Sequence, residues 1–110
     1  HWLFLLKKMM NPQFGFGGMI AIDLDTAEKA SALMEDMEAN DVGYLAVSLG
    51  YFKTLFSNSG KSTSSEVPED VQRKMGLSEG LVRYSVGLDN DIERTWSKIE
   101  QSLKKTGYLK

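Results

Sequence analysis

Three short stretches of the chain alternate apolar and polar residues, which is the pattern of a strand with one buried face. They are residues 19–24, 44–49 and 81–88. Since successive side chains of a strand point to opposite faces, each stretch has an apolar face that we expect to be buried under helices. The apolar residues on these faces are Ile20, Ile22, Leu24, Leu45, Val47, Leu49, Val82, Tyr84, Val86 and Leu88.

The opposite face of each predicted strand is small or polar. It carries Ala21, Asp23, Ala46, Ser48, Gly50, Arg83, Ser85 and Gly87. Two interpretations of this face stay open. An antiparallel sheet often exposes one face to water, and that is the simpler interpretation. Alternatively, the small residues allow another domain, a ligand or another chain to approach closely.

Apolar residues recur at helical spacing in two longer stretches. The first follows Asp25, which forms a capping-box pattern with Glu28, and its apolar stripe consists of Ala27, Ala30, Met34 and Met37. The second follows a similar pair, Asn90 and Glu93, and its stripe consists of Ile92, Trp96, Ile99 and Leu103. We interpret Trp96 as a core anchor, and Gly107 as the end of this helix.

A weaker helix and a loop lie between the second and third strands. Pro68 suits a first helical turn, whereas residues 57–66 are polar without apolar periodicity and predict a loop. The predicted order is therefore β-α-β-loop-α-β-α. This order indicates an α+β fold (an α/β sandwich), with a small, mainly antiparallel sheet and helices packed on one face.

Composition excludes several kinds of chemistry. The 110 residues contain no cysteine, and the single histidine is His1. Disulfides, a cysteine nucleophile and a cysteine- or histidine-rich metal site are therefore not expected. The net charge of −2 gives no electrostatic footprint for nucleic acid, and no apolar stretch approaches the roughly 20 residues of a membrane helix. We expect a cytoplasmic domain that binds neither nucleic acid nor membrane.

Two glycine-containing motifs resemble phosphate-binding sequences only in part. Gly60, Lys61 and Ser62 match the end of a P-loop, but Leu55 stands where that motif requires its first glycine. The glycines at positions 15, 17 and 18 precede a strand, whereas those of the dinucleotide fingerprint follow one. A nucleotide-binding P-loop remains a minor alternative.

Arg83 is the most suggestive residue for binding. An arginine in the middle of a strand must be solvated or paired, and its planar guanidinium fits a carboxylate or a phosphate. Asp23 is a possible internal partner, so a ligand, an internal salt bridge and solvent exposure all stay open. Ser48, at the end of the second predicted strand, is a second polar candidate, although such serines often bond only locally.

The combined motifs resemble a known family. Phe14 to Ile20, Ala46 to Gly50 and Gly80 to Asp89 are similar, in order and spacing, to the C-terminal part of the Cys/Met-metabolism enzymes that depend on pyridoxal phosphate. The resemblance covers about residues 9–104 and is strongest to the methionine gamma-lyase-like members. It implies that residues 14–110 form the C-terminal small domain of a fold-type I enzyme, and that residues 1–13 are an atypical lead-in, from a processed, tagged or truncated start.

The resemblance also implies roles for individual residues. Arg83 binds the α-carboxylate of the substrate, Ser48 lies beside it, and Leu49 lines the same place through its backbone. Thr63 lies near the active-site entrance, where many members have Thr-His but this chain has Thr63 followed by Ser64.

The implied parent enzyme is a carbon–sulfur lyase that eliminates from methionine or cystathionine. In the family the lysine that holds the cofactor belongs to a large N-terminal domain, and no lysine here lies in a matching motif. We therefore expect this chain alone to bind no pyridoxal phosphate and to be inactive, and the parent to form tetramers. Two alternatives stay open: a transferase of the O-acetylhomoserine sulfhydrylase or cystathionine gamma-synthase type, and a stand-alone assembly module.

Overall fold

The computed structural model describes residues 2–13, 17–59, 66–88 and 91–110. Within these ranges the chain forms four helices and four strands. The helices are α1 (Trp2–Met9), α2 (Ala27–Ala39), α3 (Glu69–Lys74) and α4 (Ile92–Lys105). The strands are β1 (Met19–Asp23), β2 (Tyr44–Leu45), β3 (Leu55–Asn58) and β4 (Leu81–Ser85).

The strands form one mixed sheet in the order β1-β4-β3-β2. β4 is antiparallel to both β1 and β3, whereas β2 runs parallel to β3. The predicted α+β class and mainly antiparallel sheet are confirmed. α1 and β3 were not predicted, and β3 overlaps the start of the stretch that we interpreted as a loop.

α2 begins one residue later than its capping-box pattern suggests. Thr26 is the N-cap, and its hydroxyl accepts a hydrogen bond from the Lys29 N–H at 3.3 Å. The prediction of Asp25 as the cap is wrong, because Asp25 adopts a positive φ of 68° in the turn before the helix. Its N–H instead donates to the Asp23 carboxylate at 2.9 Å.

The core lies between α2 and the middle of the sheet. The predicted stripe of α2 is buried, together with Leu33. All of these residues except Ala27 form one cluster with Phe56, Val82 and Tyr84. The Tyr84 hydroxyl donates to Met37 Sδ at 3.1 Å, and burial raises the pKa of Tyr84. Each large apolar side chain buried here contributes about 1.5–3 kcal/mol to folding.

α4 packs through its second half. Asp91 is its N-cap and accepts from the Arg94 N–H at 3.0 Å, so the predicted cap at position 90, which lies outside the described residues, is one residue too early. Ile99 and Leu103 pack against the core. Trp96, however, is 53% exposed. Its prediction as a core anchor is wrong because it lines an open apolar cavity of about 320 Å³ with Ile20 and Tyr84 of the sheet instead of packing closely on them.

The helices cover only the centre of the sheet. Leu24, Val82 and Tyr84 are buried as predicted, whereas Ile20, Leu45, Val47, Leu49 and Leu88 are exposed. Val47, Leu49 and Leu88 are exposed because β2 ends at Leu45 and β4 at Ser85, so these later residues leave the sheet. Ile20 and Leu45 are exposed on β1 and β2, which are the two edge strands of the sheet. None of the helices in the described ranges is both long and apolar enough to cross a membrane.

Candidate functional site

The face of the sheet opposite α2 carries the candidate residues. Phe56, Val82 and Tyr84 face the helix, so Ser57 and Arg83, which alternate with them, lie on the other face. Ala21, Arg83 and Ser57 occupy one row across β1, β4 and β3, because Arg83 pairs with both of the others. Sequence alternation correctly placed Arg83 on this small, polar face.

The Arg83 guanidinium is partly buried and has one hydrogen bond within the described residues. Its Nη2 donates to the Ser48 carbonyl oxygen at 3.0 Å. Its Nε is buried and has no partner in the described part of the chain. The guanidinium therefore presents a buried N–H for which the described residues supply no acceptor.

Asp23 does not pair with Arg83 in the described structure. Its carboxylate accepts hydrogen bonds from the Ser78 hydroxyl and from the Asp25 N–H, and these bonds hold the pKa of Asp23 below its usual value. The internal salt bridge considered for Arg83 is thus not formed by this residue.

The segment between β2 and β3 brings Ser48 to Arg83 through the main chain. The Gly50 N–H donates to Ser85 Oγ at 3.1 Å. This segment therefore contacts both Arg83 and Ser85, which are successive residues on the same face of β4. The positive φ of Gly50, 73°, is one that glycine adopts without steric cost. Ser48 and Leu49 have exposed side chains, and Thr63 lies outside the described residues.

Ser57 is a site residue that the sequence did not reveal. It lies in a stretch interpreted as a loop, yet it is only 4% exposed and faces Arg83 across β3 and β4. Its hydroxyl is also buried without a partner among the described residues. The only local signal for a strand here is the apolar pair Leu55 and Phe56, and the polar residues that follow obscure it.

A second group of charges lies at the other end of β2 and lines a cavity of about 160 Å³. Lys53 Nζ donates to the Tyr44 hydroxyl at 2.8 Å, which raises the pKa of the lysine. Asp41 accepts from Lys98 Nζ at 3.2 Å, and this bond lowers the pKa of the carboxyl group. Lys53 and Asp41 of the lining thus already have partners, and the third charged residue of the lining, Arg94, also lowers the pKa of Asp41. The cavity is therefore a weaker candidate than the surroundings of Arg83.

The comparisons with known proteins agree on one family. The model of the Cys/Met metabolism PLP-dependent enzymes matches residues 5–104. Methionine gamma-lyase of Arabidopsis thaliana is 46% identical over 99 residues, which are 89% of this chain and 22% of that protein. Cystathionine gamma-lyase of Bacillus subtilis is 32% identical over 90 residues, which are 82% of this chain and 23% of that protein.

Solved structures show the same fold. A putative O-acetylhomoserine (thiol)-lyase of Campylobacter jejuni, which carries a pyridoxyl-lysine phosphate adduct, superposes with a TM-score of 0.73 at 23% identity, over 94% of this chain and 23% of that one. Cystathionine gamma synthase of Xanthomonas oryzae, in complex with cystathionine, superposes with a TM-score of 0.72 at 25% identity, over 86% and 24%. The chain thus spans about a quarter of the length of the relatives that it matches.

Proposed function

This chain belongs to the Cys/Met metabolism PLP-dependent enzyme family, and we propose that it forms the substrate-binding small domain of a carbon–sulfur lyase. In this proposal residues 14–110 are the C-terminal domain, and residues 1–13 are a lead-in. The substrate is a sulfur amino acid, methionine or cystathionine. The 46% identity to the Arabidopsis methionine gamma-lyase favours methionine.

The observation that carries the proposal is the buried Nε–H of Arg83, which has no acceptor among the described residues. Buried donors in folded proteins almost always have partners. A donor without one, on a guanidinium already fixed at Nη2 by the Ser48 carbonyl, is suited to an anionic ligand. An amino-acid substrate offers its α-carboxylate, which matches the planar geometry of a guanidinium.

The residues of this chain would then bind and orient the substrate. The arginine guanidinium is a cation with five N–H donors and no acceptor, so Arg83 can hold the α-carboxylate by charge and hydrogen bonding. The Ser48 carbonyl fixes the rotation of the guanidinium, and the main chain at Leu49 lies next to it. Anchoring the carboxylate limits the rotation of the substrate and so presents its α-carbon in one orientation.

Six of the nine described lysines have contacts that do not fit the cofactor. Pyridoxal phosphate supplies the electron sink of this family's chemistry when it is bound to a lysine in a built pocket. The described lysines with assigned contacts instead lie in surface pairs: Lys8 with Phe4, Lys29 with Asp25, Lys53 with Tyr44, Lys98 with Asp41, Lys104 with Glu100 and Lys105 with Asp36. We therefore assign the cofactor to a part of the enzyme outside this chain and derive no step through it.

A transferase is the second candidate function. The structural similarity to a cystathionine gamma synthase in complex with cystathionine supports it. Both functions use the same contact between the substrate carboxylate and Arg83. They differ in the fate of the substrate side chain, which this chain does not touch in our proposal.

The proposal can be tested in a hybrid enzyme. Residues 5–104 replace the matching segment of the Arabidopsis methionine gamma-lyase, and the release of methanethiol from methionine is measured. We expect Arg83→Gln to raise KM at least tenfold, because a charge-assisted hydrogen bond to a charged group contributes roughly 1.5–3 kcal/mol. Arg73→Gln is the matched control, since Arg73 is an exposed arginine on α3. Unchanged KM in Arg83→Gln would exclude the carboxylate role.

The expected inactivity of this chain alone has a separate test. The purified 110-residue chain is mixed with pyridoxal phosphate, and its absorption spectrum is compared with that of the Arabidopsis enzyme. We expect free-cofactor absorption only. A stoichiometric band of the lysine-bound cofactor would contradict the assignment of the cofactor to another part of the enzyme.

A further inference from the structure

Ser57 and Arg83 form a cross-strand pair with two unsatisfied polar atoms. The residues lie directly opposite each other on antiparallel β3 and β4, which places their β-carbons about 4.5–5.5 Å apart. Ser57 Oγ and Arg83 Nε are both buried, and neither has a hydrogen-bond partner among the described residues. Two orphaned polar groups thus share one position of the helix-free face.

Ser85, another serine on the same face, has a hydrogen-bond partner for its hydroxyl. It lies two residues along β4 from Arg83 and is also buried, but its Oγ accepts from the Gly50 N–H at 3.1 Å. The segment between β2 and β3 therefore provides partners for Ser85, through Gly50, and for Arg83 Nη2, through Ser48. Ser57 Oγ and Arg83 Nε gain no partner from it or from the other described residues. Leaving a buried hydroxyl without a partner costs free energy, which a retained function can explain.

We infer that Ser57 is a substrate-binding residue, and that its hydroxyl donates to the same α-carboxylate that Arg83 Nε binds. This inference rests on the proposed function and extends it to a residue outside the recognised motifs. A hydroxyl donor beside a guanidinium N–H offers two converging donors to the oxygens of one carboxylate. The subsite would prefer a carboxylate to an alcohol or an amide, because only the carboxylate is charged and accepts from both donors.

A merely structural role for Ser57 predicts a different outcome. A structural serine stabilises the fold through its hydroxyl, so its removal lowers the stability of the chain. For a hydroxyl that is satisfied only by substrate, removal relieves an unsatisfied group in the free chain. Ser57→Ala should therefore leave the urea midpoint unchanged or raise it, while it weakens binding.

The test uses the complete 110-residue chain, labelled with nitrogen-15. It contains three arginines, at positions 73, 83 and 94, so the Arg83 Nε–H signal can be assigned by substitution. L-Methionine is titrated in and compared with L-methioninol, which lacks the carboxylate. We expect methionine alone to shift the Arg83 signal, and we expect Ser57→Ala to raise the dissociation constant about tenfold.

Two further variants make the result specific. Ser102→Ala removes a buried hydroxyl from α4, on the side of the sheet away from Arg83, and should leave the affinity for methionine unchanged. Ser57→Thr keeps the hydroxyl and adds a methyl group, and the resulting β-branched side chain suits a strand. This variant should bind methionine more tightly than Ser57→Ala.

The other possible results distinguish the role of Ser57 from that of Arg83. If the Arg83 signal responds and Ser57→Ala binds like the native chain, the role of Ser57 is wrong and that of Arg83 stands. A lower urea midpoint in Ser57→Ala with unchanged affinity would make Ser57 a structural residue. If methionine does not shift Arg83 in the native chain, the inference is overturned, and the kinetics of Arg83→Gln in the hybrid enzyme decide the proposed function separately.

Discussion

Gly87 lies directly against the main chain of Lys53. A β-carbon built at position 87 would be 2.4 Å from the Lys53 carbonyl carbon and 2.5 Å from the Thr54 nitrogen. The Gly87 N–H also donates to Thr54 Oγ1 at 3.0 Å. The close approach that the small residues of this face allow is therefore made, at Gly87, by the chain's own segment leading into β3.

We expect Gly87→Ala to destabilise the fold by about 1–3 kcal/mol, because the added methyl group overlaps main-chain atoms that cannot move independently. Urea unfolding of the purified chain measures the change. Gly18→Ala is the matched control: its nearest contact would be the Val86 carbonyl oxygen at 3.5 Å, an ordinary distance. Equal stability of the two variants would show that the Lys53 segment does not pack here.

The exposure of Trp96 gives a second test. We expect Trp96→Gln to change the free energy of unfolding by no more than about 0.5 kcal/mol, as is usual for a surface residue. Phe56→Ala, at a side chain that is 1% exposed, should cost about 3–5 kcal/mol. A loss of several kcal/mol in Trp96→Gln would instead support the core position that the helical pattern predicts.

Asp36 and Lys105 connect α2 to α4, and this pair should make stability depend on acid pH. The Lys105 ammonium lowers the pKa of Asp36. The unfolded chain therefore binds more protons than the folded chain around and below the ordinary aspartate pKa of about 3.9. The contribution is complete above that value and is lost as the pH falls through the lowered pKa of the folded state.

Urea titrations from pH 7 to pH 3 measure this dependence. We expect Lys105→Gln to lower the free energy of unfolding at pH 7 and to make its fall at acid pH less steep. Lys74→Gln, on α3, should leave the curve unchanged. If the free energy of unfolding of Lys105→Gln falls as steeply at acid pH as that of the native chain, the role of this pair is contradicted.

Tyr84 should produce the corresponding effect at alkaline pH. Burial raises the pKa of its hydroxyl, so the stabilisation is complete below the unfolded value of about 10 and is lost as the pH rises above it. Tyr84→Phe should flatten the alkaline fall in stability. At pH 7 it should cost no more than about 1 kcal/mol, because the partner of the hydroxyl among the described residues is the weak acceptor Met37 Sδ. Tyr51→Phe, at an exposed tyrosine, is the control.

The sequence predicted the parts of the fold that depend on local periodicity. The stripe of α2 and the central strand around Val82 and Tyr84 follow from spacing alone, because those residues face one another across the core. β3 was missed because only Leu55 and Phe56 are apolar before the polar run begins. The exposure of Trp96 could not be predicted, since periodicity gives the face of a helix but not how closely that face packs on the sheet beneath it.

The candidate site also contains residues that the sequence could predict and residues that it could not. Arg83 could be predicted because a charged residue in an apolar strand is conspicuous in the sequence. Its contact with Ser48 was expected only through family resemblance, and the structure makes it through the Ser48 carbonyl oxygen, an atom that every residue has. Ser57 could not be predicted, because its importance depends on register with β4 and not on any local motif.

The pairing of β1 with β4 has a consequence for synthesis on the ribosome. Met19 of β1 pairs with Ser85 of β4, and β4 also separates β1 from β3. β1 therefore leaves the ribosome without a partner and stays unpaired while more than half of the chain is translated. Because non-local pairing of this kind closes a long loop before it gains contacts, the sheet assembles late. An apolar strand that waits unpaired is the kind of segment that chaperones bind and that aggregates at high expression.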